Sequence, residues 1–139
     1  MNSSLELLYL IIFSGILAVG YSYLLSGQIL SSSAGNEKMR DIAGAIQIGA
    51  KAYLNRQYKT IAVVGILVLI IVTYFFNITV GIGYFVGAAL SGVAGYVGML
   101  ISVKANVRTA EASRQSLQSG LNIAFKSGAV TGLLVAGLA

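Results

Sequence analysis

Three long stretches of this chain are almost purely apolar: Leu7–Leu25, residues 60–77 and Gly81–Val103. Each is long enough to cross roughly 30 Å of hydrocarbon as a helix. A fourth apolar run covers residues 127–139, about thirteen residues, too few to span by itself. Between the runs lie two polar segments, residues 26–59 and 104–126. The pattern predicts an all-α, polytopic helical membrane protein, with three full transmembrane helices and the start of a fourth. Because the last run stops with no interfacial aromatic and no charged tail, the chain reads as the N-terminal part of a larger protein.

The polar segments differ in character. Ser31-Ser32-Ser33-Ala34-Gly35-Asn36 reads as a loop. From Met39 onward the periodicity is helical. At 100° per residue Met39, Ile42, Ala43, Ile46, Ala50 and Tyr53 share one side. Lys38, Arg40, Asp41, Lys51, Asn55, Arg56 and Lys59 share the other, and Ile48 breaks the pattern. No breaker separates Lys59 from Ile61, so this amphipathic helix is expected to run straight into the second span. In the second polar segment Arg108, Glu111 and Arg114 stand three apart and are expected to form a solvated charge ladder.

The third span is small-residue-rich. Gly83-x-x-x-Gly87, Ala88-x-x-x-Gly92 and Ser91-x-x-x-Gly95 let helix backbones approach closely in lipid, so this span is expected to touch other helices on more than one face. Asn77-Ile78-Thr79 makes a very short turn between the second and third spans. It matches a glycosylation sequon, but a turn so close to the membrane is a poor acceptor.

Composition sharpens the class. Of 139 residues 57% are apolar and 9% charged, with a mean hydropathy of +0.86. Soluble domains carry about a quarter charged residues, so a water-exposed surface cannot be built from these. All nine Lys and Arg lie in the two polar segments, and residues 1–28 and 60–103 have none. This asymmetry predicts cytoplasmic polar segments and an external N-terminus. The first run is longer than a signal-peptide h-region, and Glu6 rather than a basic residue precedes it. The net charge of +5 therefore points to anionic headgroups, and no aromatic–basic interleaving suggests nucleic acid.

Candidate chemistry is sparse. Cys and His are absent, which removes thiol nucleophiles, a histidine base and the usual zinc ligands. The acids are Glu6, Glu37, Asp41 and Glu111, and none lies within an apolar run. A proton-carrying proteolipid would need one there. Magnesium–phosphate chemistry needs several converging carboxylates, and Glu37, Asp41 and Glu111 are few and interspersed with basic neighbours. We therefore expect no catalytic, cofactor-binding or metal-binding residue in this chain.

The polar segments nevertheless carry a resemblance. Gly35-Asn36-Glu37-Lys38-Met39, Gly49-Ala50-Lys51-Ala52-Tyr53-Leu54 and Tyr58-Lys59-Thr60-Ile61 resemble the first loop and second helix of membrane-bound, ion-pumping pyrophosphatases. So do Ser91-Gly92-Val93-Ala94-Gly95-Tyr96-Val97-Gly98-Met99, Lys104-Ala105-Asn106-Val107-Arg108-Thr109-Ala110-Glu111-Ala112 and Phe125-Lys126-Ser127-Gly128-Ala129-Val130-Thr131-Gly132. The similarity covers roughly Gly35–Ala139; the first span is generic.

The resemblance implies a homodimeric pump with sixteen helices per subunit. It would hydrolyse pyrophosphate at the cytoplasmic face with Mg2+ and move H+ or Na+ outward. The first four helices would lie in an outer supporting ring. The catalytic carboxylates would come from the fifth helix onward, in motifs such as Asp-x7-Lys-x-Glu, and this chain has none of those motifs. The residues that select the ion and set any K+ requirement would also lie downstream. The chain's partners would then be the bilayer and the remaining helices of the same pump. A second reading, from the small-residue face of Gly81–Gly98 alone, is a non-enzymatic, holin-like oligomerising membrane protein.

Overall fold

The computed structural model describes residues 2–138, with side chains from Ser4 to Leu138. Ala139, the last residue of the fourth apolar run, lies outside the described residues. Four helices account for nearly all of the described chain: α1 Asn2–Ser31, α2 Glu37–Phe75, α3 Ile78–Gln115 and α4 Leu117–Leu138. All four are long and apolar enough to cross a membrane. At 1.5 Å per residue, α2 with 39 residues and α3 with 38 measure about 58 and 57 Å. Both outrun the hydrocarbon layer, so each carries a polar extension continuous with its apolar part.

The connections follow from local chemistry. Asn36 caps α2, its side chain accepting from the Met39 N–H at 3.0 Å. Asn77 caps α3 in the same way, accepting from Val80 N–H at 2.9 Å. The sequon asparagine is thus a helix cap, and only Phe76 and Asn77 separate α2 from α3. The break between α3 and α4 is a single residue, Ser116, in extended conformation (φ −162°, ψ 154°). Its N–H closes α3 on the Ala112 carbonyl, and its Oγ accepts from Ser119 N–H at 3.0 Å to start α4. The thirteen-residue apolar run is therefore the latter part of a 22-residue helix that begins at Leu117.

The helices form a row in the order α2, α3, α4, α1. Among the described helices α2 packs on α3 alone, while α1 packs on α4 and touches α3. The core lies between α1, α3 and α4, built from Leu25, Ile29, Ala94, Ala105, Val130 and Leu134. Ser22 and Ser26 are buried beside it, and their hydroxyls are satisfied by the Val19 and Ser22 carbonyls of their own helix.

Small residues set the spacing of the row. Cβ atoms added at Gly15 or Gly137 would lie 3.0 Å or 2.7 Å from the other glycine's carbonyl oxygen, so α1 and α4 cross there backbone to backbone. One added at Gly98 would lie 3.0 Å from the Thr131 methyl on α4. On its other side α3 meets α2, with Gly81 against Thr73 and Gly95 against Tyr58. The expectation that this helix packs on more than one face holds. Gly83 and Gly87 face open space, leaving that pair free for a further helix.

The amphipathic part of α2 departs from the expected pattern. Ala43 and Leu54 are buried, yet Ile42 and Ile46 remain 54% and 52% exposed and Tyr53 63%. The reason is that α3 is the only helix packed on α2, and it meets one edge of the apolar stripe rather than its centre.

Candidate functional site

The basic residues gather at one end of the bundle, where α1 stops, α2 starts and α3 turns into α4. The last carbonyls of α1 have no intrahelical partners and form the negative end of its dipole. Arg108 of α3 meets them. Its Nη2 donates to the Leu30 carbonyl at 3.1 Å and its Nη1 to the Lys104 carbonyl at 2.7 Å. Its Nε is buried without a hydrogen-bond partner. Beside it, the Lys126 ammonium of α4 donates to Gln28 Oε1 of α1 at 3.0 Å. The end of α1 is thus tied to α3 and α4 by two cations that donate to neutral oxygens.

The loop after α1 fits beneath this junction. Gly35 has φ +78°, a conformation that side chains other than Gly seldom adopt. A Cβ there would fall 2.6 Å from Met39 Sδ and 3.0 Å from Glu111 Oε2. Glu111 is paired with Arg114 at 2.9 Å, with side-chain exposures of 19% and 61%. Arg114 Nη1 also lies 3.8 Å from Met39 Sδ.

The expected three-member ladder is therefore only a pair. Arg108 leaves Glu111 to Arg114 and turns to the Leu30 carbonyl at the unsatisfied end of α1, with the Lys104 carbonyl of its own helix as a second acceptor. Glu37 sits in the first turn of α2, where the dipole favours an acid. Among the described residues no group of three Asp, Glu, His or Cys could hold a metal ion. The arrangement is suited to fixing helix ends.

A second polar cluster lies between α2 and α3. Tyr58 and Tyr96 meet edge to face, with ring centroids 5.1 Å apart at 82°. The Tyr96 hydroxyl donates to Asn55 Oδ1 at 3.0 Å. Gly95 makes room for Tyr58, whose Oη would lie 2.6 Å from an added Cβ. From this cluster a groove of about 560 Å³ runs between the helices, lined by apolar and small residues including Ile61, Gly65, Leu69, Phe85, Ala88 and Gly92.

Sequence reasoning missed most of these contacts. Leu30 and Arg108, or Gln28 and Lys126, are joined only through the fold. The Asn36 and Asn77 caps carried a usable signal, since each asparagine immediately precedes a helical run.

Comparison with known proteins gives a consistent answer. Residues 16–139 match the family described as inorganic H+ pyrophosphatase. A K(+)-insensitive pyrophosphate-energized proton pump of Methanosarcina mazei is 43% identical over 128 residues, covering 91% of this chain and 19% of the relative. A putative K(+)-stimulated pyrophosphate-energized sodium pump of Clostridium tetani is 43% identical over 122 residues, covering 88% and 18%. A protein of the same description from Bacteroides thetaiotaomicron is 41% identical over 138 residues, covering 95% and 19%. The chain spans about a fifth of the length of these relatives. With four helices fit to cross a bilayer, it is an integral, multi-pass membrane protein.

Proposed function

Since this chain belongs to the inorganic H+ pyrophosphatase family, we propose that it is the N-terminal scaffold portion of a pyrophosphate-energised ion pump. The observation that carries the reading is the match over residues 16–139 to pumps about five times as long. The pump would couple pyrophosphate hydrolysis to outward transport of H+ or Na+. Both ions occur in the names of the relatives, so the similarity favours neither.

The residues of this chain do not fit a magnesium–pyrophosphate site. Glu111 is paired with Arg114, Glu37 lies in the first turn of α2, and no metal-holding group of three occurs among the described residues. Magnesium and substrate would be bound by the remaining helices of the pump. The contribution of α1–α4 is mechanical. The Arg108–Leu30 and Lys126–Gln28 contacts tie the end of α1 to α3 and α4 on the basic side. Wide apolar faces, such as Phe13 at 61% and Ile70 at 60% exposure, are left for lipid and further helices. A homodimer of complete pumps is part of the same proposal.

The basic end would face the cytoplasm, with the N-terminus outside, following the positive-inside asymmetry. The chain has no cysteine, and Ser33, Ser113 and Thr79 are all exposed. Single cysteines at Ser33 and Ser113 should be labelled from the cytoplasm and one at Thr79 from outside. Labelling of Ser33 and Thr79 from one side would break this topology. The isolated chain, reconstituted in liposomes with magnesium, should hydrolyse no pyrophosphate. Measurable turnover would overturn the scaffold reading.

A further inference from the structure

We propose that the groove between α2 and α3 binds one acyl chain of an anionic phospholipid, drawn from the leaflet on the basic side of the membrane. The groove runs along α2 from Tyr58 to Leu69, eleven residues or about 16 Å of helix. That is half of a hydrocarbon layer roughly 30 Å thick, the depth of one leaflet. Its floor includes Gly65, Ala88 and Gly92, and its volume of about 560 Å³ is lined mainly by apolar side chains, with the Tyr84 hydroxyl beside Gly65. An added Cβ at Gly65 would meet only Tyr84 Oη at 3.9 Å, and one at Gly92 only a Tyr58 ring carbon at 3.8 Å. The slot is therefore open at its base rather than filled by neighbouring side chains.

The mouth of the groove is polar and cationic. Tyr96 hydrogen-bonded to Asn55, with Tyr58 packed edge to face on Tyr96, forms the rim at the level where tyrosines favour the membrane interface. Lys59 directly follows Tyr58, and Lys51 stands seven residues earlier on the same helical face; both are exposed. No Asp or Glu occurs between Asp41 and Glu111, so nothing acidic in α2 or α3 competes for these cations near the mouth. An apolar slot one leaflet deep with unneutralised lysines at its interfacial end complements a lipid with an anionic headgroup. A neutral headgroup would leave the lysines unused. This site is independent of the pyrophosphatase reading and requires only that the helices be membrane-embedded.

The test is native mass spectrometry of the 139-residue chain in mild detergent, titrated with dioleoylphosphatidylglycerol or dioleoylphosphatidylcholine. One phosphatidylglycerol should be retained at about 25-fold lower lipid concentration than phosphatidylcholine, from two lysines near an anionic headgroup. Lys51→Gln and Lys59→Gln should each weaken phosphatidylglycerol retention about fivefold and leave phosphatidylcholine unchanged. Gly65→Leu and, separately, Gly92→Leu should abolish retention of both lipids by filling the slot. Helix content and melting by circular dichroism should not fall below those of the parent chain, because each new Cβ makes only ordinary van der Waals contact and a helical glycine is replaced by a better helix former. Equal retention of the two lipids overturns the proposal, as does unchanged retention in folded groove-filled variants. If those variants instead shift a monomer–dimer ratio with lipid retention unchanged, the occupant is a second copy and the proposal fails.

Discussion

Replacing Arg108 with Met isolates the contact that joins α1 to α3. The native guanidinium makes two charge-assisted hydrogen bonds, at 2.7 and 3.1 Å, to the Lys104 and Leu30 carbonyls. Buried, such bonds are worth about 1.5–3 kcal/mol each. This side chain is only partly buried, so solvent screening reduces each to about 1 kcal/mol. The dipole of α1 adds about 0.5 kcal/mol for a cation at its C-terminal end. Against these stands the buried Nε without a partner, whose desolvation costs about 1 kcal/mol in the native protein and vanishes in the variant. The Lys104 bond lies within α3, so only the Leu30 bond and the dipole term act on α1; they outweigh the Nε cost narrowly, and Arg108→Met should loosen the end of α1 by about 0.5 kcal/mol, close to twofold in an opening equilibrium. The assay is amide hydrogen exchange at Ser32, whose N–H is bonded to the Ile29 carbonyl at 3.1 Å. Its exchange should rise about twofold, while amides in the middle of α2 stay unchanged. Arg108→Lys should fall between, since an ammonium can reach one carbonyl but not both. Native exchange at Ser32 in Arg108→Met would refute the reasoning, and an equal rise across α2 would assign the effect to global unfolding instead.

Three further outcomes follow from the geometry. Gly137→Val should open the α1–α4 crossing and cost about 1–3 kcal/mol in thermal or SDS unfolding, because the obstructing atom is the Gly15 carbonyl oxygen, which cannot swing aside. Gly132→Ala, with nothing within 4 Å of its new Cβ, should instead stabilise the chain by about 0.5–1 kcal/mol; the same sign for both variants would discredit the packing. Gly35→Ala should destabilise by about 1–2 kcal/mol in the same assay because of the positive φ, with Gly35→Asn milder; native stability in Gly35→Ala would contradict it. Asn77→Ala should cost about 1 kcal/mol and speed exchange of the Val80 amide, and Asn77→Ser should restore both. No change at Val80 would mean that the cap contributes nothing.

The apolar runs made the helices of this fold legible in the sequence. The fusion of the amphipathic segment with the second span was readable because no Gly or Pro interrupts Lys59–Ile61. The glycine pattern likewise identified α3 as the helix packed on two sides. The start of α4 was hidden, because the polar residues between Lys104 and Lys126 mark departure from hydrocarbon, not departure from helix. Only Ser116, with Ser119 three residues on, signals the sharp break between two helices. The stripe of Ile42, Ile46 and Tyr53 was read correctly as apolar, but periodicity does not say which neighbour covers it, and here none of the described helices does. Arg108 was misassigned for a related reason. Spacing brings Glu111 within its reach, whereas the unsatisfied carbonyl of Leu30 becomes visible only when α1 ends beside α3. The absence of a catalytic cluster was an expectation from the scarcity of acids.

The central claim is that this chain serves as the scaffold end of a pyrophosphate-driven pump. The direct measurement is a chimera in which it replaces the matching fifth of the Methanosarcina mazei relative, with membrane insertion checked alongside activity. The account predicts that the inserted chimera retains magnesium-dependent pyrophosphate hydrolysis, since every group needed for that chemistry would come from the rest of the pump. A chimera that inserts and folds but hydrolyses no pyrophosphate would contradict it.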